Sequence, residues 1–351
     1  MSATKISDVP TFDLRNIEFM ELLGEGAFGK VRLVKQLSII STPNPEDGTR
    51  QEIQLGAVKI MSKQKIIDAQ QVDHVYNELS LQQQLKHPFI VNMKGVQQDS
   101  RSLYMLMEYV DGGEIFKLIN KLGRLPASLA RFYTAQMVLC FEYLHSKGFV
   151  YRDLKPENVL IHQSGYLKLS DFGFIKRLGP QERTYTICGT AQYMAPEIIL
   201  NKGHGKAVDW YTLGIFLFEL LEGVCPFNHE EPLEMFRMII QTKLKFPHGF
   251  DKAAKSLIRH LTDHDLSKRY GNLKFGVEDI KNHRFFRETN FYQVITQAVQ
   301  PEYVPEENPL RNKKYIMRQK GAPARHIAEN NERANGSAPV KAEEDPFLKW
   351  F

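Results

Sequence analysis

The chain has 351 residues, of which 42% are hydrophobic and 25% charged, enough to bury a sizeable core and to form two folding units. Its three cysteines are too few for a disulfide framework and too scattered for a zinc site, so we expect a reducing compartment: the cytoplasm, with the nucleus as a further option. The net charge of +5 is mild and spread along the chain, and no apolar run reaches the ~20 residues of a membrane span. We therefore expect neither nucleic-acid binding nor a membrane anchor.

The first third of the chain carries mainly strand patterns. From Ile17 to Lys35, apolar and polar residues alternate around a glycine cluster, which predicts a strand, a tight turn and a second strand. Further strands are predicted at 55–61 and 102–110. The segment 41–52 is rich in Pro, Asn, Asp and Gly and predicts a surface insertion, whereas residues 68–86 carry the apolar stripe of a helix.

The rest of the chain predicts mainly helices. Amphipathic patterns cover residues 127–148, 207–222 and 251–262. The segment 321–345 is polar and small enough to be mobile unless another part of the protein holds it. The last five residues, FLKWF, are aromatic again.

Two features near the N-terminus indicate a phosphate site. Gly24, Gly26 and Gly29 lie in a strand-turn-strand, where the missing Cβ atoms let backbone amides approach an anion. The chain continues as a strand after these glycines, which favours a flap over nucleotide phosphates rather than a dinucleotide fold; a plain hairpin is the alternative. Lys59, in an apolar strand, needs anionic partners, which Glu78 and phosphates could supply. An edge-strand lysine and a solvated glutamate are the alternatives.

The segment 151–160, YRDLKPENVL, crowds charged side chains between apolar neighbours, and a solvated turn is the alternative interpretation. Asp171 follows a short apolar strand and precedes a glycine, where a carboxylate can bind a hard cation, and Asn158 would add a second oxygen ligand. Phosphoryl transfer needs positioned phosphates, a metal bridge and an acceptor for the hydroxyl proton. We predict that Asp153 accepts the proton and Lys155 steadies the transferring phosphate, while Asn158 and Asp171 hold Mg²⁺.

The glycine loop, Lys59, Glu78, YRDLKPEN, DFG and the APE at 195–197, in that order, resemble the eukaryotic protein kinases. DLKPEN is similar to the serine/threonine class. YRD, GTAQYMAPE and the aromatic ending resemble the AGC group. Within that group the chain is most similar to the catalytic subunits of cyclic-AMP-dependent protein kinases, over roughly residues 15–305 and the final aromatic motif.

This resemblance implies an α+β, bilobal fold. It has a small, mainly antiparallel β N-lobe with one key helix, a larger, mainly helical C-lobe, and a C-terminal tail that wraps back onto the N-lobe. The implied segments are an N-terminal tail at 1–17, a kinase domain at 18–286 with lobes at about 18–107 and 111–286, and an AGC tail at 287–351. The aromatic ending should dock beside the helix of Glu78.

The resemblance also implies an ATP site, with Lys59 and Glu78 as catalytic residues and Met107 as gatekeeper. Residues of both lobes would surround the nucleotide: Leu23, Gly24, Gly26, Phe28, Gly29, Val31, Ala57, Lys59, Met107, Glu108, Val110, Glu114 and Leu160. Thr186 would be the activation phosphosite, with Thr184 as the competing choice. Its phosphate would be held by Arg152, Lys176 and His74.

By the same resemblance, Glu114, Glu157 and Glu219 would read arginines two and three residues before the target serine or threonine. The implied function is an ATP- and Mg²⁺-dependent serine/threonine kinase for basic protein substrates, restrained by a regulatory subunit with cyclic-nucleotide-binding domains. The alternatives are an AGC kinase that cyclic AMP does not control, a pseudokinase scaffold and a nucleotide-binding interaction module.

One position departs from the family pattern in a way that matters for stability. Gln82 follows Glu78 by one helical turn, where the family carries an apolar side chain. A buried amide there would need hydrogen-bond partners, so we expect either a water-filled or polar niche or a helix that is rotated enough to expose it.

Overall fold

The computed structural model of the chain describes residues 9–41, 49–241, 244–306, 339–341 and 344–350. Much of the expected N-terminal tail, the middle of the predicted insertion, most of the polar segment before the aromatic ending, and Phe351 lie outside these residues. The chain divides into two compact units, described separately here. In its described part, the first comprises residues up to 86, residues 91–109 and the C-terminal segment, and the second comprises residues 87–90 and 110–306.

The first unit is built on a five-stranded antiparallel sheet with the order β1-β2-β3-β5-β4. Its strands are β1 (Ile17–Gly26), β2 (Gly29–Ser41), β3 (Thr49–Ser62), β4 (Met93–Gln98) and β5 (Ser102–Glu108). β2 and β3 pair without interruption from Gly29↔Met61 to Ser41↔Thr49. The prediction of an insertion over 41–52 was therefore wrong for residues 49–52, because this pairing extends the hairpin well beyond the apolar core of the sheet.

Two helices replace the single helix predicted at 68–86: α1 (Lys63–Asp68) and α2 (Val72–Gln82). α1 begins early because the side chain of Ser62 accepts a hydrogen bond from the backbone N–H of Lys65 and caps the helix. The helix then breaks because Gln70 has a φ of 56°, in the left-handed region that helices do not use. α2 carries Glu78 and Gln82 among its buried residues.

The C-terminal segment packs on this first unit. Phe347 and Trp350 are buried in an apolar cluster that also contains Val75 and Leu79 of α2. The ring of Trp350 meets the ring of Tyr76 edge-on, with centroids 5.2 Å apart. These contacts confirm that the C-terminal tail wraps back onto the small lobe.

The second unit is mainly helical, as predicted. Its helices are α3 (Ile115–Leu122), α4 (Ala127–Ser146), α5 (Pro196–Ile199), α6 (Ala207–Glu222), α7 (Pro232–Gln241), α8 (Lys252–Leu261), α9 (Val277–Lys281) and α10 (Phe291–Ile295). Its strands form two short antiparallel pairs, β6 (Phe149–Val150) with β9 (Lys176–Arg177) and β7 (Val159–Ile161) with β8 (Leu167–Leu169). Among the described helices, none is both long and apolar enough to span a bilayer.

Candidate active site

The segment 151–158 of the second unit is a loop that joins strands β6 and β7 and ends in a short 3-10 helix, Pro156–Asn158. A fully buried carboxylate, Asp209 in the first turn of α6, fixes the start of this loop. It accepts hydrogen bonds from the backbone N–H groups of Tyr151, at 3.0 Å, and Arg152, at 2.8 Å, and its Oδ2 lies 2.7 Å from Nε2 of His145. The backbone of Arg152 has a φ of 74°. Asp209 of α6 therefore fixes the loop backbone immediately before Asp153.

Asp153 is only 4% exposed, and hydrogen-bond donors surround both of its carboxylate oxygens. Its Oδ1 accepts from the backbone N–H of Thr190 at 2.9 Å and from the Thr190 hydroxyl at 2.8 Å. Its Oδ2 accepts from Nδ2 of Asn158 at 2.9 Å and lies 3.3 Å from Nζ of Lys155. Lys155 also donates to the Thr190 hydroxyl at 2.8 Å. The structure thus brings together the two residues predicted for proton and phosphate handling, Asp153 and Lys155, and the predicted metal ligand Asn158.

Thr190 and Asp209 were not predicted as site residues, although Thr190 lies in the GTAQYMAPE motif and Asp209 in the helix predicted at 207–222. Their contacts with the loop join residues 37 and 57 positions apart, which no local pattern reveals. Gly189 is the one residue whose type points to the contact between Thr190 and the loop. Its φ is +98°, and a Cβ there would lie 2.6 Å from the carbonyl oxygen of Arg152, so only glycine lets the segment of Thr190 approach the loop this closely.

The predicted metal ligands, Asn158 and Asp171, belong to the same unit. Asn158 donates its amide nitrogen to Asp153, which leaves the side-chain oxygen as the available donor atom. Its backbone carbonyl accepts from both the N–H and the hydroxyl of Ser170, at 2.8 and 2.9 Å, so the residue before Asp171 is tied to Asn158. Asp171 is exposed, with a φ of 49°. One amide and one carboxylate oxygen fit Mg²⁺, which commonly takes its other ligands from water and substrate phosphates.

No group of three or more His, Cys, Asp or Glu side chains suited to a metal ion occurs among the residues that the structure describes.

The predicted phosphate-side residues lie in the first unit. Nζ of Lys59 on β3 is 2.5 Å from Oε1 of Glu78 on α2, an ion pair with the glutamate side chain 9% exposed. A Cβ on Gly29 would lie 1.8 Å from the carbonyl oxygen of Ile60, so at this position β2 lies so close to the neighbouring strand β3 that only glycine fits. A Cβ on Gly24 would meet nothing within 4 Å. The glycine turn therefore has an open face, while its second strand is held tightly.

The residues predicted to surround adenine and ribose divide between the two units. Within the first, Ala57 of β3 pairs with Met107 of β5, and Val31 of β2 pairs with Lys59. The remaining members of this set are the half-exposed Leu23, the open Gly26, Phe28, which packs against the apolar cluster of Phe347, and Glu108.

Glu108 differs from the other members of that set because its side chain is already engaged. Its carboxylate accepts from the backbone N–H of Asn92 at 3.0 Å and from the Asn92 side chain at 3.3 Å. Its backbone N–H also donates to the carbonyl of Asn92, at 3.0 Å, so its carboxylate and its N–H are both engaged within the protein.

The second unit supplies Val110, Glu114 and Leu160, of which Glu114 and Leu160 form a single antiparallel bridge. Val110 is buried, and the carboxylate of Glu114 lies 3.8 Å from Nζ of Lys117.

Glu219 differs most from the other two carboxylates predicted to read arginine. Glu157 is exposed, whereas Glu219 is buried in α6 and accepts a hydrogen bond from the Tyr193 hydroxyl. Burial raises the pKa of Glu219 to about 7, and the hydrogen bond from Tyr193 only partly opposes that effect. A buried carboxylate with a raised pKa is better suited to receiving a cation than an ordinary solvated glutamate is.

The predicted phosphosite is exposed, and its competitor is not. Thr186 is exposed, whereas Thr184 is only 2% exposed and its hydroxyl accepts from Nζ of Lys176 at 2.9 Å. The two threonine hydroxyls are 3.5 Å apart. Arg152 donates Nε to the carbonyl of Phe174, and its Nη1 is buried without a hydrogen-bond partner within the described ranges.

The fourth residue predicted for the phosphosite, His74, belongs to the first unit. There it lies on α2, and its Nδ1 contacts the side chain of Gln71.

Comparison with known proteins places these features in context. The family model described as "Protein kinase domain" matches residues 17–286. The human protein named cAMP-dependent protein kinase catalytic subunit PRKX is 41% identical over 297 residues, covering 85% of this chain and 79% of that protein. A cAMP-dependent protein kinase, catalytic subunit-like, from Caenorhabditis elegans is 41% identical over 304 residues, covering 86% and 73%. The cAMP-dependent protein kinase catalytic subunit of Dictyostelium discoideum is 42% identical over 293 residues, covering 84% of this chain and 43% of that protein.

Proposed function

Because this chain belongs to the protein kinase family, as a serine/threonine kinase of the cAMP-dependent catalytic-subunit type, we propose that it transfers the γ-phosphate of ATP, with Mg²⁺, to serine or threonine hydroxyls that follow arginines. The observation that carries the proposal is the arrangement at Asp153, a buried carboxylate with Thr190 and Asn158 donating to it and Lys155 beside it. Such an arrangement can orient a substrate hydroxyl and accept its proton.

Each residue has a role that follows from its contacts. Asp153 takes the hydroxyl proton, and the donors around it keep the carboxylate turned toward one position. Lys155, between Asp153 and Thr190, steadies the phosphate as it passes to the hydroxyl. Lys59, held by Glu78, positions the phosphates that remain on the nucleotide. Asn158 and Asp171 would hold Mg²⁺, which would supply neutralisation of charge on the phosphates.

The substrate preference rests on the three glutamates. Arginine and a carboxylate can form two parallel charge-assisted hydrogen bonds, and Glu219 supplies a partly desolvated carboxylate in which such a pair is strong. Glu114 and Glu157 add negative charge of the ordinary, solvated kind. The preferred substrates are therefore proteins with arginines two and three residues before the target.

Regulation is proposed at two levels. Phosphorylation of the exposed Thr186 would place an anion beside the Lys176–Thr184 contact and within the proposed reach of Arg152, ordering the segment around it. An inhibitory regulatory subunit with cyclic-nucleotide-binding domains is the proposed partner, by analogy with the named relatives. The proposed location is the cytoplasm, with the nucleus as a second compartment.

The test is transfer of labelled phosphate from ATP by the purified full chain. We expect transfer to a serine peptide with arginines two and three positions earlier, loss of transfer when Mg²⁺ is chelated, and a higher KM for the same peptide with alanines replacing the arginines. A matched tyrosine peptide should not be labelled. Nucleotide binding without any transfer would instead identify a scaffold or an interaction module.

A further inference from the structure

A groove in the second unit lies between α8 and the segment 270–284, which includes α9. Its volume is about 760 Å³, within the range of about 300–1,000 Å³ that ligand sites occupy. The residues that line it are separate from those of the candidate active site. Four aromatic or imidazole rings and two carboxylates contribute to the lining: His260, Tyr270, Phe275, His283, Glu278 and Asp279.

Three of these rings lie close to one another. The centroids of His260 and Tyr270 are 4.3 Å apart, and the ring of His283 lies 5.9 Å from His260 and 6.2 Å from Tyr270. The fourth ring, Phe275, is 68% exposed, and Nζ of Lys274 lies 5.8 Å from its centroid. The face of an aromatic ring attracts cations at about this distance. The groove therefore offers ring surface to a flat or positively charged group.

The hydrogen bonds of the two imidazoles fix their tautomers. Nδ1 of His260 lies 2.7 Å from the carbonyl oxygen of Ser256 and must donate to it, so Nε2 is the acceptor nitrogen of the neutral ring. Nδ1 of His283 accepts from the backbone N–H of Phe285 at 3.2 Å, so its Nε2 carries the proton that faces the Ser256 hydroxyl. Burial lowers the pKa of His283 to about 4, and the ring is uncharged at neutral pH. His283 therefore does not repel a cation in the groove.

The carboxylates of the groove are short of hydrogen-bond donors. Oδ2 of Asp279 is buried, and no donor for it occurs among the residues that the structure describes, which is a costly state for a carboxylate oxygen. Glu278 is exposed and lies 3.5 Å from Nζ of Lys281. The one guanidinium in the lining, Arg284, donates Nη2 to the carbonyl oxygen of Lys252 at 2.9 Å. A ligand that fits this lining has to bring donors and positive charge.

We propose that the groove binds the guanidinium of an arginine side chain in a peptide segment of a protein partner, with the guanidinium stacked on a ring of the groove and donating to Asp279. Guanidinium is planar, stacks on aromatic faces and presents a fork of donors, whereas the ammonium of lysine does neither. The exposure of Phe275 and Glu278 leaves the groove open to an extended chain, whereas small-molecule sites enclose most of their ligand. The inference does not depend on the transfer reaction.

An NMR titration of the full chain tests the proposal. The protein is labelled at its 11 histidines, and the imidazole signals of His260 and His283 report on the groove directly. The probe is the blocked tripeptide acetyl-Ala-Arg-Ala-amide. Its matched controls carry citrulline, which has the same shape without the charge, or lysine in place of arginine. Methylguanidinium alone tests whether the peptide context matters.

We expect the arginine tripeptide to shift both imidazole signals with a Kd of about 1 mM, a value in keeping with a ligand of this size. The citrulline peptide should bind about tenfold more weakly, and the lysine peptide and methylguanidinium at least about threefold more weakly. Asp279→Asn should weaken binding of the arginine peptide about tenfold, and Phe275→Ala about threefold. Glu234→Gln and Tyr292→Ala, which alter an exposed acid and an exposed ring outside the groove, should leave the Kd unchanged.

Two kinds of result would overturn the proposal. Equal affinity for the arginine and citrulline peptides would show that the guanidinium is not recognised, and equal affinity for lysine or methylguanidinium would exclude an arginine peptide as the occupant. Wild-type affinity in Asp279→Asn or in Phe275→Ala would show that the groove does not hold the probe. Phe275 is exposed, so Phe275→Ala supplies this test even where Asp279→Asn disturbs folding.

Discussion

The buried ion pair between Lys63 and Asp345 should decide whether the C-terminal segment stays docked. Nζ of Lys63 lies 2.6 Å from Oδ2 of Asp345, and the two side chains are 1% and 3% exposed. The other oxygen of Asp345 accepts from the backbone N–H of Phe347 at 2.9 Å, and Lys63 also lies 5.6 Å from the centre of the Phe347 ring. Asp345→Asn keeps the backbone contact and leaves the lysine charge buried without its counter-charge.

The expected loss of docking follows from a near balance between apolar burial and the entropy cost of ordering the C-terminal segment. Burial of Phe347 and Trp350, at about 200 Å² each and about 25 cal/mol per Å², contributes about 10 kcal/mol. Ordering the six residues from Asp345 to Trp350 costs about 9 kcal/mol at about 1.5 kcal/mol per residue. Breaking a buried pair by removing one partner costs about 3–5 kcal/mol. Asp345→Asn should therefore undock the segment rather than merely weaken it.

Hydrogen exchange of the amides of residues 345–350 in the full chain measures this directly. We expect exchange in Asp345→Asn to approach that of an unprotected peptide, with lower thermal stability of the first unit. Lys63→Met should behave similarly, because it strands the carboxylate, and Lys63→Met with Asp345→Asn should recover part of the protection. Lys349→Met, which alters an exposed lysine of the same segment, is the control. If the amides of residues 345–350 in Asp345→Asn exchange as slowly as in the wild type, the Lys63–Asp345 pair does not hold the segment in place.

Three further outcomes concern the second unit. Thr186→Ala should lower kcat on an arginine peptide by about tenfold or more, since a phosphate there adds one to three charge-assisted hydrogen bonds; equal turnover of the fully phosphorylated wild type and the variant would contradict the switch. Thr190→Val, which removes the hydroxyl that donates to Asp153, should lower kcat roughly tenfold to a hundredfold with little change in KM for ATP, measured by steady-state kinetics. Burial raises the pKa of Glu219 to about 7, and only the anion of Glu219 pairs with arginine. The KM for an arginine peptide should therefore rise as the pH falls below about 7, approaching tenfold per pH unit. The KM for an alanine-substituted peptide should show no such rise.

Local patterns predicted most elements of the fold. The helix expected at 207–222 has those bounds in the structure, because apolar residues recur along its whole length and Gly223, in a left-handed conformation, ends it. The helix expected at 68–86 is present but shorter, since α2 covers residues 72–82 and the left-handed Gln70 precedes it; α1 was missed because its start depends on the capping Ser62 rather than on apolar periodicity. The extended β2–β3 hairpin was also missed, since the outer end of β3, residues 49–52, is polar and is specified by pairing with β2.

The residues of the candidate site likewise divide into those that a local pattern reveals and those that only long-range contacts reveal. Asp153, Lys155 and Asn158 could be predicted because they lie within one short charged segment, where residue type and spacing indicate chemistry. Thr190 and Asp209 could not be predicted, because each acts through a contact with residues far away in the chain. Gln82 was expected either in a water-filled or polar niche or on a helix rotated enough to expose it; the structure instead buries it with the sulfur of Met107 beside its Nε2, an outcome set by the packing of α2 rather than by any local pattern.

The role of Asp153 as the base of an active phosphotransferase is tested by one comparison of purified wild type with Asp153→Asn. Both proteins are measured for single-turnover transfer from ATP to an arginine peptide, with ATP affinity determined by calorimetry on the same samples. We expect unchanged ATP affinity and a transfer rate lower by about 10²–10⁴-fold in Asp153→Asn, the usual contribution of a positioned base. Transfer by Asp153→Asn at the wild-type rate would show that Asp153 is not the base.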